Sequence, residues 1–270
     1  MSMRPTIGFI GSGKMAQAMI AGMLRDGSIA REQLIVSART EQTLQRVKDA
    51  FGIAAVRDNR AVAGQADVLF LAVAPNLYDG VIAEIAESVR AETVVVSIAA
   101  GITIARVEKA FGKPVKIVRG MPNTPSLIGS GVTAVCANES VTPEESERVA
   151  GLLRSIGEVE LIREEQMDAI PPIAASSPAY VYMLIEAMAD GGVRLGLPRA
   201  QAYRLAAQAV LGAARMVLET GKHPGELKDG VCTPGGATIA AVATLEQEGF
   251  RGTVMAAMQS CYERVKELGE

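Results

Sequence analysis

The sequence predicts an α/β domain built on a parallel sheet, followed by an all-α domain. Three observations predict it. Strand-like and helix-like runs alternate up to about residue 120. A Gly-x-Gly-x-x-Ala turn joins the first strand-like run to the first helical one. No strand pattern remains beyond residue 162. Such alternation implies parallel strands joined by helices that cover the sheet. With the glycine turn, it gives a Rossmann-type dinucleotide-binding domain over residues 1–162. Residues 163–270 form the all-α domain.

The elements follow in order. Residues 6–10 are a short apolar run, the first strand. Residues 14–26 have helical spacing, with Met15, Ala18, Met19 and Met23 on one face. Residues 34–37 are strand-like, and residues 40–51 are helical with Thr40 as a suitable N-cap. Residues 68–73 and 93–98 are continuous apolar runs with β-branched residues. Strands buried on both faces have that pattern. Helical segments at 79–89 and 104–111 separate them from the next strand, 115–118. A loop is expected at 120–131, a strand at 132–136, a helix starting near Pro143 and a strand at 159–162. Residues 178–195, 199–220, 238–247 and 252–268 all read as helices.

Composition narrows the function. The chain has 270 residues and is 49% hydrophobic, enough for one large domain or two medium ones. Its net charge is −3, and no Lys/Arg run stands out. Nucleic acid is therefore not an expected partner. Cys136, Cys232 and Cys261 are far apart and form no CxxC pair, so neither a disulfide framework nor a zinc site is indicated. No apolar run has the length of a membrane span. The opening Met-Ser-Met-Arg-Pro leads straight into a strand, unlike a signal peptide. A reducing cytoplasm is the expected compartment.

The glycine turn carries chemistry. In Gly8-Phe9-Ile10-Gly11-Ser12-Gly13-Lys14-Met15-Ala16, the fingerprint residues are Gly11, Gly13 and Ala16. Gly11 permits a tight turn, Gly13 lets backbone approach a pyrophosphate, and Ala16 lets helix pack closely on strand. The phosphates then meet free N–H groups at a helix N-terminus. The second strand ends in Ser37-Ala38-Arg39-Thr40, where NAD-specific sites carry Asp or Glu. Ser37, Arg39 and Thr40 are suited to neutralise and hydrogen-bond a 2′-phosphate, which favours NADPH over NADH. A solvated arginine after a strand fits the same residues.

Two features of the helical half stand out. The helix at 199–220 carries Ala202, Leu205, Ala206, Ala209, Val210, Ala213, Met216 and Val217. So wide an apolar stripe is usually covered on more than one side, which points to a second subunit and an all-α dimerisation domain; packing against the dinucleotide-binding domain alone is the alternative. The second feature is Cys232-Thr233-Pro234-Gly235-Gly236-Ala237-Thr238. Flexible glycines lead there into a helix start whose free N–H groups suit a small carboxylate. Ordinary helix capping by Thr fits the same segment. The single histidine, His223, lies in a Lys-His-Pro-Gly stretch that reads as a turn.

On these residues the chain resembles the pyrroline-5-carboxylate reductase family over essentially its whole length. The resemblance rests on residues 8–16, 67–75, 119–125 (Arg-Gly-Met-Pro-Asn-Thr-Pro), 176–180, 189–199, 223–229 and 233–239 with Leu245-Glu246. It implies reduction of the cyclic imine 1-pyrroline-5-carboxylate to L-proline by NADPH, or less often NADH. It implies a dimer with interlocked helical domains and larger rings up to a decamer. By the same resemblance, cofactor contacts fall on Ser12, Lys14 and Met15, on Ala38 and Thr40, on Asn59, Ala72, Val73 and Ala74, and on Ala100. The substrate carboxylate meets Thr233 and the helix start at Gly236, Ala237 and Thr238. The Thr238 hydroxyl faces the ring nitrogen as the catalytic contact, and Glu164 lies nearby. The chain departs from the family's common residues at Ala74 (often Lys), Gly230 (often Asn) and residues 175–178 (often Gly-Ser-Gly-Pro).

The chemistry is compatible with that resemblance. No Ser/His/Asp set and no carboxylate pair emerge from the sequence. Ketone reduction creates an alkoxide that needs a proton donor. A protonated imine already attracts hydride, and positioning supplies most of the catalysis. A β-hydroxyacid dehydrogenase would need a lysine on the helix at 179–195, which has none. A dinucleotide sensor with a purely structural helical half is the non-enzymatic alternative.

Overall fold

The computed structural model describes residues 5–269; the opening Met-Ser-Met-Arg lies outside them. The chain divides into two compact units, Met1–Ala175 with Tyr262–Glu270, and Ser176–Cys261. The first unit runs β1 (Ile7–Ile10), α1 (Lys14–Arg25), β2 (Leu34–Ser37), α2 (Glu41–Phe51), β3 (Ala54–Val56), α3 (Asn59–Gln65), β4 (Val68–Leu71), α4 (Tyr78–Ile85), β5 (Val94–Ser97) and α5 (Ile104–Phe111). It continues with β6 (Lys116–Pro122), β7 (Gly131–Ala137), α6 (Pro143–Arg154) and β8 (Gly157–Leu161).

Among the described residues, eight strands form one sheet in the order β3-β2-β1-β4-β5-β6-β7-β8. The first six strands in sequence are parallel. β7 runs antiparallel to β6, and β8 runs parallel to β7. Every residue of β1, β4 and β5 is buried, as their unbroken apolar runs predict. Phe9 and Phe70 stack at 4.7 Å on one face of the sheet. Leu69, Leu71, Val95 and Ile117 pack on the other.

Local chemistry sets the helix starts. Thr40 accepts from the Thr43 N–H, as expected from the sequence. Asp58 accepts from the N–H groups of Arg60 and Ala61 and starts α3. Thr142 and Glu145 form a capping box on α6.

Four features differ from the sequence reading. β3 and α3 are additional elements. The expected loop at 120–131 begins later, because β6 continues through Pro122 by pairing with β7 (Gly120 with Val135, Pro122 with Thr133). Residues Glu164–Ala169 and Pro171–Ala175 form short helical turns. An extra helix, Pro224–Val231, appears in the second unit.

That second unit holds α7 (Ser177–Arg194), α8 (Arg199–Thr220), α9 (Pro224–Val231), α10 (Ala237–Gln247) and the first turns of α11 (Phe250–Gly269). α7 and α8 pack closely through small residues. A Cβ on Gly192 would lie 3.3 Å from that of Ala202. Only Ala202 and Ala206 of α8 are buried within the single chain. Leu205, Leu211, Met216 and Leu218 stay exposed, Leu218 at 81%. Apolar side chains thus remain exposed on two sides of α8 within the single chain.

Candidate functional site

The sheet topology locates the cleft. β1 lies between β2 and β4, so the chain leaves β1 and β4 toward opposite sides of the sheet. A crevice opens at such a switch point, outside the carboxyl ends of the strands. The structure has a cleft of about 960 Å³ there. Gly11, Ser12 and Gly13 line it after β1, and Ala38, Arg39 and Thr40 line it after β2. Asn59 at the start of α3, and Ala72, Val73 and Ala74 after β4, also line it. Lys14 and Met15 are the first residues of α1 and lie outside the lining. Ala100 sits in the turn after β5, also outside it.

The glycine turn has the geometry that its sequence predicts. Gly11 has φ +94°, and a Cβ there would lie 2.6 Å from the Ala72 carbonyl oxygen. Gly13 is different. Its φ of −67° suits any residue, yet a Cβ there would meet nothing within 4 Å. Gly13 is also the N-cap of α1, with no capping side chain. No side chain therefore caps the first turn of α1, whose free N–H groups can donate to an anion. The Gln17 side chain donates to the Ser12 carbonyl at 2.7 Å and braces the turn. Buried Ala16 lets α1 lie close on the sheet.

Several lining or bracing residues escaped the sequence reading. Tyr78 is fully buried and donates to the Leu71 carbonyl at 2.7 Å. It accepts from the Ser97 hydroxyl and the Ile98 N–H, both at 3.3 Å. One phenol thereby ties together the ends of β4 and β5, and burial pushes its pKa up. A polar chain crosses the cleft wall: Ser37 Oγ donates to Asn59 Oδ1 at 2.6 Å, and Asn59 Nδ2 donates to Glu84 Oε2 at 2.9 Å. Arg57 and Glu84 also line the cleft. Asn59 was expected as a cofactor contact, whereas no local motif singles out Arg57, Tyr78 or Glu84.

Glu164 is held by its own unit. Its Oε1 accepts from the Ile104 N–H at 2.8 Å, at the start of α5, and from Arg119 Nη1 at 3.1 Å. Arg119 is only 5% exposed and also faces Asp168 at 3.6 Å. Burial, with the Glu164 charge second, pushes the Cys136 thiol up to about 11. The geometry makes Glu164 an anchor for α5 and the turn before it.

In the second unit, Thr233, Gly236, Ala237 and Thr238 meet at the start of α10. Gly235 is left-handed, φ +68°. Gly236 is the N-cap, again without a capping side chain. Its N–H donates to the Thr233 carbonyl at 3.0 Å. The Thr233 hydroxyl folds over Gly236, where a Cβ would come within 2.3 Å of Oγ1. Ala237 and Thr238 are exposed, and the Thr238 hydroxyl has no hydrogen-bond partner among the described residues. The two threonines therefore do not cap α10 with their hydroxyls. His223 does act as a cap: its Nδ1 accepts from the Gly225 N–H at 3.0 Å and starts α9.

Comparison with known proteins follows the same division. A family model described as pyrroline-5-carboxylate reductase dimerisation matches residues 164–268. One described as NADP oxidoreductase, coenzyme F420-dependent, matches residues 6–101. The chain is 46% identical to the pyrroline-5-carboxylate reductase of Escherichia coli (strain K12), across 99% of this chain and 100% of that one. It is similar to the solved pyrroline-5-carboxylate reductase of Coxiella burnetii, with TM-score 0.94, 35% identity and coverage of 98% and 99%. The solved Plasmodium falciparum pyrroline carboxylate reductase with NADP bound gives TM-score 0.87 at 30% identity, covering 99% of each chain.

Proposed function

The chain belongs to the pyrroline-5-carboxylate reductase family, and from that premise we propose how its own residues carry the reaction. It is an oxidoreductase that reduces 1-pyrroline-5-carboxylate to L-proline with a nicotinamide cofactor, the last step of proline biosynthesis. The cofactor, when bound, supplies the hydride. The observation that carries its placement is the uncapped start of α1 at Gly13, facing open space at the sheet's switch point. Gly11, Ser12 and Gly13 hold the pyrophosphate, with the N–H groups of Lys14 and Met15. Ala38, Arg39, Thr40 and Asn59 hold the adenosine end, and Ala72, Val73, Ala74 and Ala100 border the rest. Arg39, with Arg57 beside the same cleft, makes NADPH the preferred cofactor and NADH the weaker one.

The substrate carboxylate is held at the start of α10 by the N–H groups of Ala237 and Thr238 and by Thr233. Gly236 leaves that helix end open to an anion. The Thr238 hydroxyl faces the ring nitrogen and orients it. Glu164 acts through the α5 turn that it anchors. No side chain has to protonate the nitrogen after the hydride has reached the carbon. The imine nitrogen is protonated before hydride arrives, and the product amine keeps that proton. His223, used as a cap, is not needed for the chemistry. α7 contains no lysine that could serve ketone reduction. The test is direct: purified protein should consume NADPH only when 1-pyrroline-5-carboxylate is added, and chiral chromatography should find L-proline. Tight NADPH binding without turnover would favour a dinucleotide sensor instead.

The matched dimerisation family indicates self-association. The dimer is the proposed unit, and a ring of dimers up to a decamer is its larger form. Ala209 and Ala213 on α8 are exposed in the single chain. Replacing either by Glu leaves the chain's own packing intact but forces a charge into the proposed interface. Light scattering should then report monomers or aggregates. A wild-type chain that is monomeric at micromolar concentration would refute the dimer. Among the described residues, no helix is long and apolar enough to cross a membrane. The proposed setting is the cytoplasm, with neither membrane nor nucleic acid as a partner.

A further inference from the structure

We infer that Glu84 is a specificity-determining residue that holds the preference for NADPH in check. The inference rests on the cofactor reading above. Sites selective for NAD place a carboxylate at the end of β2, where it accepts from the ribose diol and repels a 2′-phosphate. Here that position holds Ser37-Ala38-Arg39-Thr40, which has no acid. The structure supplies one from α4 instead. Ser37 Oγ, Asn59 and Glu84 form a chain of two hydrogen bonds, 2.6 and 2.9 Å, from the end of β2 to the Glu84 carboxylate.

The chain has only one sense. A carboxylate accepts and cannot donate, so the Asn59 amide nitrogen must face Glu84. The Asn59 carbonyl then faces Ser37, which must donate. Ser37 is 1% exposed, so this end of the chain is fixed by packing. Glu84 is exposed on the cleft wall, with Oε1 unpartnered among the described residues. Among the described residues Glu84 takes part in no ion pair, and its carboxylate meets the Asn59 amide instead. Arg60 reaches only its backbone carbonyl, at 3.0 Å. One cleft thus carries Arg39 and Arg57, which favour a 2′-phosphate, and Glu84, which disfavours it and suits a hydroxyl donor.

Glu84→Gln keeps an acceptor for Asn59 and removes the charge. Dissociation constants of NADP⁺ and NAD⁺, measured by calorimetry on the full chain, test the idea without turnover. NADP⁺ should tighten about three- to tenfold, as expected for one like-charge repulsion across a solvated cleft. NAD⁺ should stay unchanged or weaken by up to about threefold. The gain for NADP⁺ should shrink in high salt, which screens exposed charges. Glu84→Ala should move the ratio in the same direction. Arg39→Ala should weaken NADP⁺ roughly tenfold and NAD⁺ little. Equal changes for both cofactors, or none, in Glu84→Gln would overturn the inference. Failure of the wild-type chain to bind either cofactor would overturn the cofactor reading itself.

Discussion

Gly13→Val should abolish useful cofactor binding while leaving the fold intact. The backbone at Gly13 is in a region that valine adopts freely, and no protein atom lies within 4 Å of the added Cβ. The side chain therefore projects into the cleft, over the uncapped first turn of α1. Two charge-assisted hydrogen bonds to a pyrophosphate are worth about 3 kcal/mol or more. NADPH and NADH should both weaken by more than roughly 100-fold. Valine is a poor N-cap, yet Gly13 supplies no capping side chain either. The melting temperature should stay within about 4 °C of wild type. Gly11→Val is the contrasting control. There the backbone is left-handed and the Ala72 carbonyl is in the way, so stability itself should fall. Calorimetric titration beside a melting curve separates the two. Undiminished binding by Gly13→Val would remove the phosphates from the start of α1.

Elements with strong local signals were legible in the sequence. α5 and α8 have the bounds that their periodicity predicts, and Thr40 caps α2 as expected. The short pieces were not. β3 has three residues and α3 seven, too few for either period to register. α9 was hidden because Lys-His-Pro-Gly reads as a turn; its cap is an imidazole rather than a hydroxyl. β6 outran its expected end because its last residues pair with β7, a long-range partnership that no local pattern announces.

The same distinction runs through the site. The turn at Gly11–Gly13 and the start of α10 are local motifs, and each leads into a helix start as expected. Tyr78, Arg57 and Glu84 acquire meaning only by meeting distant residues. Asn59 and Glu84 are 25 positions apart, and Glu164 finds its two partners 45 and 60 positions away. Glu164 was associated with substrate through family resemblance; the structure adds that its Oε1 also binds Arg119 and the start of α5.

We propose that the start of α10 holds the reacting end of the substrate. Thr238→Val is the test, because valine keeps the shape and removes only the hydroxyl. That hydroxyl is exposed and has no partner among the described residues, so little stability should be lost. If it contacts a charged ring nitrogen, about 1.5–3 kcal/mol of transition-state stabilisation goes with it. The expected result is a drop in kcat/KM of roughly 10- to 150-fold with the NADPH dissociation constant unchanged, and Thr238→Ser should retain most activity. Wild-type kcat and KM in Thr238→Val would contradict the claim and move the search for the reacting end to Ser176 and its surroundings.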